Sequence, residues 1–176
     1  MEQIEIREAT PEDAEGIAYV QRDAWFATYP NEKHGITIQD IEDRYANMSA
    51  KIEKWEKSIR ENKYKGDSLL QVASEGGNVL GWCVVTKDEQ RNELSGIYVH
   101  PDHHGKGIGS RLADKGLKWL GDEKDISVLV ADYNNNAIKF YEKLGFVDTG
   151  EKIFEDRLRL KSGNIIPERR MIKPAS

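Results

Sequence analysis

The chain has 176 residues, a length that suits a single domain. Its 31 acidic and 26 basic residues give a formal charge of −5, which argues against a nucleic-acid-binding protein because that class carries a basic face. The single cysteine, Cys83, excludes an internal disulfide and indicates a reducing compartment. No apolar run reaches the roughly 18 residues that a membrane span needs, and the charged segment Met1–Thr10 lacks a signal-peptide core. We therefore expect a cytoplasmic protein that binds neither nucleic acid nor membrane.

The first 67 residues predict one strand followed by helices. Alternation in Gln3–Arg7 indicates a short strand, and a helix follows, with Thr10 as its cap and Pro11 at its first position, until Pro30 ends it. A second helix is predicted from Ile38 to Ile59, since its apolar residues alternate three and four apart in a heptad-like seam. Three interpretations stay open for this helix: a dimer contact, a wall of a substrate pocket, or packing on the domain's own core.

Residues 68–173 predict alternating strands and helices, with strands at Leu69–Ala73, Val79–Thr86, Glu93–Val99, Ile126–Ala131, Phe146–Phe154 and Ile165–Ile172 and helices at Gly107–Leu120 and Asn136–Leu144. A turn at Gly76-Gly77-Asn78 joins the first two strands as a hairpin. The order of these elements favours a mixed α/β sheet. We see no linker, so residues 1–176 are expected to form one domain, with 1–67 preceding a core of 68–173.

The segment with the sharpest functional signal follows the strand Glu93–Val99. It reads His104-Gly105-Lys106-Gly107-Ile108-Gly109 and leads into a helix. Glycines let backbone amides approach a ligand, and a helix N-terminus adds partial positive charge, so the segment predicts a phosphate site. The dinucleotide fingerprint Gly-x-Gly-x-x-Gly does not match, because the third glycine here comes one residue early. The P-loop pattern Gly-x-x-x-x-Gly-Lys-Ser/Thr does not match either.

This segment and a second one together resemble the GCN5-related N-acetyltransferases (GNAT superfamily). The family's pyrophosphate loop reads Gln/Arg-x-x-Gly-x-Gly/Ala, and His104 departs from its first position. The second segment, Asn134 to Phe146, matches the family's pattern Asn-x-x-Ala-x-x-Phe-Tyr-x-x-x-Gly-Phe throughout. The resemblance implies an α/β (α+β) fold with a splayed, mostly antiparallel sheet of six or seven strands and about four helices. It also implies direct acetyl transfer from acetyl-CoA to an amine.

The resemblance further implies where acetyl-CoA binds. The cofactor would lie between the strands Glu93–Val99 and Ile126–Ala131, which would run parallel and splay apart. Its contacts would come from the strand end, the loop and the start of the helix, together with Asn134: Ile97, Tyr98, Val99, His104, Gly105, Lys106, Gly107, Ile108, Gly109 and Ser110. Trp25 and Tyr29 resemble an aromatic pair on the acceptor side of some bacterial members. No metal is expected, because His100, His103 and His104 have no partners at a ligand spacing.

The catalytic candidates are Glu93 and Tyr141. An alkylammonium group with a pKa near ~10.4 must lose a proton before it attacks, and a nearby carboxylate can take that proton. Glu93 lies eleven residues before His104, where the family often carries its base. A backbone amide of Tyr98 or Val99 would stabilise the oxyanion, and Gly96 marks a bulge that would turn those amides. Tyr141 matches the family's general acid, which protonates the leaving thiolate.

Two interpretations of function stay open at this level. The first is an acetyl-CoA-dependent N-acetyltransferase, and the second is a catalytically silent GNAT-like domain that senses acyl-CoA. For the enzyme, the acceptor is a small-molecule amine such as a polyamine, an aminoglycoside or an amino acid, or else a protein amine. A homodimer is also left open.

Overall fold

A computed structural model describes residues 3–176; Met1 and Glu2, part of the predicted domain and of the charged N-terminal segment, lie outside the described residues. Alternating apolar patterns form strands where the sequence predicts them. The seven strands are β1 (Glu5–Glu8), β2 (Ser68–Glu75), β3 (Asn78–Thr86), β4 (Asn92–Val99), β5 (Ile126–Ala131), β6 (Val147–Ile153) and β7 (Glu168–Lys173). They form one sheet in the order β1-β2-β3-β4-β5-β7-β6.

Within residues 3–176, five α-helices accompany the sheet: α1 (Ala14–Thr28), α2 (Ile38–Arg44), α3 (Met48–Arg60), α4 (Ile108–Leu120) and α5 (Asn135–Lys143). None of the helices within residues 3–176 has the length and apolar character needed to cross a membrane. The mixed sheet with flanking helices confirms the predicted fold class, and the helix count exceeds the expected four because one predicted helix is divided.

The prediction of a continuous helix from Ile38 to Ile59 is wrong. The helix ends at Arg44, and a new one begins after Asn47, whose side-chain oxygen accepts a hydrogen bond of 3.0 Å from the Ala50 amide. An asparagine that caps a helix offers the backbone a local alternative to continued helix, which a heptad count does not register. The seam is divided as well, since Ile38 is 58% exposed whereas Ile41 is fully buried.

The two faces of the sheet carry different helices. On one face, Ile108 and Leu112 of α4 and Ile138 of α5 pack with Cys83 and Val128. On the other face, side chains of α1 and α3 pack with strands β2 and β3, among them Ile17, Val20, Trp55, Val72 and Trp82. Each fully buried aliphatic side chain of this kind contributes about 1.5–3 kcal/mol of transfer free energy. The α2–α3 segment therefore packs on the domain's own core.

Strands β4 and β5 are the only parallel neighbours in the described sheet, and they pair over two positions: Asn92 with Ile126 and Glu93 with Ser127. Beyond these pairs the strands separate, as predicted. Every other pair of neighbouring strands is antiparallel. The separation leaves the backbone edge of β4 open in the middle of the sheet, and this opening positions the candidate site.

Candidate active site

A cleft with a volume of about 1140 Å³ occupies the opening between β4 and β5. Ordinary ligand pockets measure roughly 300–1,000 Å³, so this cleft has room for a large ligand and a second molecule beside it. Its lining includes most of the residues that the sequence predicts for the site: Tyr29, Glu93, Ile97, Tyr98, Val99, His104, Gly105, Gly107, Ile108, Gly109, Ser110, Asn134 and Tyr141. Trp25 and Lys106 are not part of the lining.

One end of the cleft is formed by the glycine-rich turn and the start of α4. Gly105 and Gly107 have φ angles of +76° and +74°, in a region that side chains disfavour. The first bond within the helix runs from the Arg111 amide to the Gly107 carbonyl, so the amides just before Arg111 have no acceptor in the helix. These amides and the helix dipole make this end suitable for a phosphate. Lys106 is part of the turn, and its Nζ lies 3.3 Å from Nδ1 of His103.

Alternate residues of β4 present their backbone hydrogen-bonding groups to the cleft. The His100 amide donates to the Leu80 carbonyl of β3 at 2.8 Å, and antiparallel pairs alternate between bonded and non-bonded positions. Tyr98 is therefore bonded to β3, whereas the peptide groups of Ile97 and Val99 face the separated side. Of the two predicted oxyanion donors, geometry favours the Val99 amide. The Val99 carbonyl already accepts a hydrogen bond from Nε2 of His104 at 2.9 Å.

A β-bulge interrupts β4 in the middle of this edge. Val84 of β3 is opposite Gly96, but Val85 is opposite Leu94, so Ser95 is an extra residue. The prediction of a bulge at Gly96 is confirmed, with the inserted residue one position earlier. A bulge increases the local twist of a strand and so reorients the part of β4 that borders the cleft. Glu93 lies just before it and is exposed, at the point where β4 and β5 still pair.

Tyr141 reaches the cleft from α5. The side chain is 5% exposed, and its ring packs edge-on against Phe140 and Phe146 at centroid distances of 5.4 and 5.6 Å. Its hydroxyl has no hydrogen-bond partner within residues 3–176, although it is not sealed from the cleft. Burial raises the pKa of Tyr141, so the phenol stays protonated at neutral pH.

Asn134 both caps α5 and lines the cleft. Its side-chain oxygen accepts a 3.1 Å hydrogen bond from the Ala137 amide. The cap interpretation and the ligand-binding interpretation are compatible, since the side-chain NH₂ group is not used by the cap.

The two aromatic residues predicted on α1 occupy different positions. Tyr29 lines the cleft, whereas Trp25 is 3% exposed and packs behind it at a centroid distance of 4.3 Å. Trp25 donates from Nε1 to the hydroxyl of Tyr98 at 3.3 Å. Burial raises the pKa of Tyr29 well above its usual value. Trp25 thus supports Tyr29 and Tyr98, and only the latter two can contact a ligand in this cleft.

Sequence reasoning missed four charged residues on the wall opposite β4: Glu155, Arg157, Glu168 and Arg170. Glu168 and Arg170 belong to β7, and the other two precede it in the connection from β6. Burial raises the pKa of Glu168, an effect that the charge of Arg157 offsets only in part. The run Glu168-Arg169-Arg170 inside a predicted strand was an available signal, because three charges in succession are unusual there. Its position beside β5 depends on the sheet order, which the sequence does not state.

Comparison with known proteins agrees with this geometry. The sequence model of the acetyltransferase (GNAT) family matches residues 18–146. A mycothiol acetyltransferase of Streptomyces coelicolor is 28% identical over 83% of this chain and 43% of its own length. One from Streptomyces griseus is 32% identical over 70% of this chain and 36% of its own length. The chain thus spans less than half the length of these two curated relatives.

Solved structures match over nearly the whole chain. A PaiA N-acetyltransferase from Thermoplasma acidophilum, in complex with coenzyme A, has a TM-score of 0.69 and 25% identity, covering 98% of this chain and 99% of that one. An acetyltransferase of the GNAT family from Streptococcus pneumoniae has a TM-score of 0.70 at 19% identity, covering 99% and 100%. The family model matches most of the chain, and the separated strands and the glycine-rich turn agree with it. The chain belongs to the GNAT acetyltransferase family.

Proposed function

We propose that the chain transfers the acetyl group of acetyl-CoA directly to a primary amine. The observation that carries the proposal is that the glycine-rich turn at the start of α4 and the side chain of Tyr141 line one cleft along the free edge of β4. The turn would hold the pyrophosphate, the peptide groups of Ile97 and Val99 would pair with the pantetheine arm, and Asn134 would contact it from the other side. Lys106 and His104 are proposed to contribute near the phosphates.

The proposed chemistry needs no acyl-enzyme. Cys83, the single cysteine, is buried in the core, where burial raises its pKa to about 12, so it is a poor nucleophile. The amine would instead attack the thioester carbon itself. The new N–C bond forms while the Val99 amide donates to the oxyanion, and such a donor is worth roughly 3 kcal/mol of barrier.

Protons would move through two side chains. Glu93, exposed at the end of the cleft, would take the first proton from the ammonium group through water and release it to solvent. When the C–S bond breaks, Tyr141 would protonate the thiolate, and the second proton leaving the nitrogen would restore the phenol. The net products are an N-acetyl amine, free CoA and one proton.

The proposal is tested by incubating the protein with radiolabelled acetyl-CoA and a panel containing a polyamine, an aminoglycoside, an amino acid and a peptide with a free N-terminus. We expect acetyl-CoA to bind and at least one amine to become labelled. Binding without transfer to any amine would instead support a silent acyl-CoA sensor. Failure to bind acetyl-CoA would refute both interpretations.

A further inference from the structure

The wall of the cleft formed by β7 contains a carboxylate that the proposed reaction does not yet use. Glu168 is 7% exposed, lies opposite Ala131 of β5 and lines the cleft. Its Oε2 accepts a 2.6 Å hydrogen bond from Nη2 of Arg157. Its Oε1 has no hydrogen-bond partner within residues 3–176 and is not sealed from the cleft. A buried carboxylate usually satisfies both oxygens, so one acceptor position is open to a ligand.

The ion pairs around Glu168 leave it with a cationic partner that is shared. Arg157 is shared by two carboxylates, because its Nε also donates to Glu155. The other guanidinium on this wall, that of Arg170, is paired with Glu151 at 2.8 Å. Glu168 therefore shares its direct cationic partner with a second carboxylate. Burial raises the pKa of the Glu168 carboxyl, and the charge of Arg157 offsets this only in part.

Aromatic rings border the same place. Tyr29 and Tyr98 line the same cleft as Glu168 and Arg157. The faces of phenol rings attract cations, with a larger effect when the cation is shielded from water. A free carboxylate oxygen, a cationic partner shared with a second carboxylate and aromatic rings are together the features of an ammonium site.

We propose that Glu168 binds the acceptor's ammonium group before acetyl transfer and so restricts acceptors to amines that are cationic in solution. This inference rests on the proposed acetyltransferase function and identifies the substrate class. The roles of the two carboxylates differ by their surroundings. Glu168 is buried and held by Arg157, so it suits binding, whereas Glu93 is exposed to bulk water. Glu168 is therefore a specificity residue, and Glu93 remains the proposed proton acceptor.

The first test compares two acceptors in the wild type and in Glu168→Gln. The acceptors are butylamine, which is cationic at the assay pH, and trifluoroethylamine, which is uncharged there. We expect the substitution to raise KM for butylamine at least roughly tenfold, or ~1.4 kcal/mol, while KM for trifluoroethylamine and the acetyl-CoA Kd stay within about twofold. An equal change for both amines, or none for butylamine, would overturn the inference.

A matched control is Asp148→Asn. Asp148 also pairs with an arginine of β7, Arg169, at 2.7 Å, but it does not line the cleft. The Asp148→Asn substitution should leave the KM values for butylamine and trifluoroethylamine unchanged. Folding of the Glu168 variant is checked by its melting temperature. Glutamine keeps a side-chain oxygen that can accept the hydrogen bond from Arg157, so the melting temperature should stay close to that of the wild type.

A second measurement does not depend on turnover. In the complex of wild-type protein with CoA, ¹³C NMR follows the titration of the Glu168 carboxyl, assigned from the signal missing in Glu168→Gln. The titratable and charged groups that line the cleft with it include Arg157 and Glu155 from the β6–β7 connection, Arg170 on β7, Tyr29 just after α1 and Tyr98 on β4. Saturating butylammonium should lower the carboxyl pKa, because a nearby cation favours the ionised form.

The two measurements separate failure of the inference from failure of the proposed function. A lowered pKa in a protein that acetylates no amine would retain the ammonium site and refute the transferase function. Acetylation of butylamine with an unchanged pKa would retain the transferase function and refute the role of Glu168.

Discussion

Replacing Tyr141 by phenylalanine tests the proposed acid most directly, because the structure separates its catalytic and structural consequences. The substitution removes one hydroxyl and keeps the ring that packs against Phe140 and Phe146. That hydroxyl makes no hydrogen bond within residues 3–176 and borders the cleft. No buried partner is left unsatisfied, so the free energy of unfolding should change by less than about 0.5 kcal/mol.

The catalytic effect should be much larger. Loss of a positioned general acid costs about 10²- to 10⁴-fold, and a thiolate with a parent pKa near ~8.5 is already a fair leaving group. We therefore expect the lower end, about 10²-fold in kcat, or ~2.7 kcal/mol. Acetyl-CoA affinity should stay within about threefold. The raised pKa of Tyr141 keeps the phenol protonated, so the loss should not vary between pH 6 and 9.

The assay follows thiol release from acetyl-CoA in the presence of an accepted amine, with melting temperature and acetyl-CoA affinity measured on the same samples. Tyr64→Phe is the control, since Tyr64 also packs against an aromatic ring, that of Trp55, and lies outside the cleft. It should keep full activity. Full turnover with a much lower melting temperature in Tyr141→Phe would show that Tyr141 is a core residue and that the acid role is wrong.

Three other substitutions have expected outcomes. Glu93→Gln should lower the rate by about 10²-fold at low pH and by less as pH approaches the amine pKa, where free amine needs no base; a pH-independent loss in the pH–rate profile would move the base elsewhere. Gly107→Asp should weaken acetyl-CoA binding at least roughly tenfold by calorimetry, since a carboxylate would face the pyrophosphate. The control Gly163→Asp, at a similar φ of +93° but outside the cleft, should not weaken binding. Equal affinity in both variants would refute the cofactor placement. Asp13→Asn should destabilise the fold at pH 7 by roughly 1–3 kcal/mol. Burial raises the pKa of Asp13, but hydrogen bonds, led by the one from Arg7, outweigh burial and leave the pKa lowered. The stability difference from the wild type should therefore vanish in thermal melts as the pH falls below the folded-state pKa, and a difference that persists there would exclude the ion pair as its cause.

Much of this protein was determined by the sequence alone. Strand and helix periods, the glycine-rich turn and the Asn134–Phe146 segment are local patterns, and local geometry follows from a few neighbouring residues. The bulge beside Gly96 was indicated by such a local pattern, whereas the parallel strands that separate were implied by the family resemblance. These features identified the family and placed Tyr141 and the start of α4 at a common site.

The tertiary structure decided what depends on contacts between distant residues. The insertion of β7 between β5 and β6 brings Glu168 and Arg157 to the cleft, although both are far along the chain from Tyr29 and Tyr98. Packing placed Trp25 behind Tyr29. The helical spacing of the two aromatic residues does not show which of them faces the cleft. Strand register turned the Val99 amide toward the cleft and the Tyr98 amide toward β3. Neighbouring residues alone leave such outcomes open, because sheet order and register are chosen by the burial of side chains from the whole chain at once.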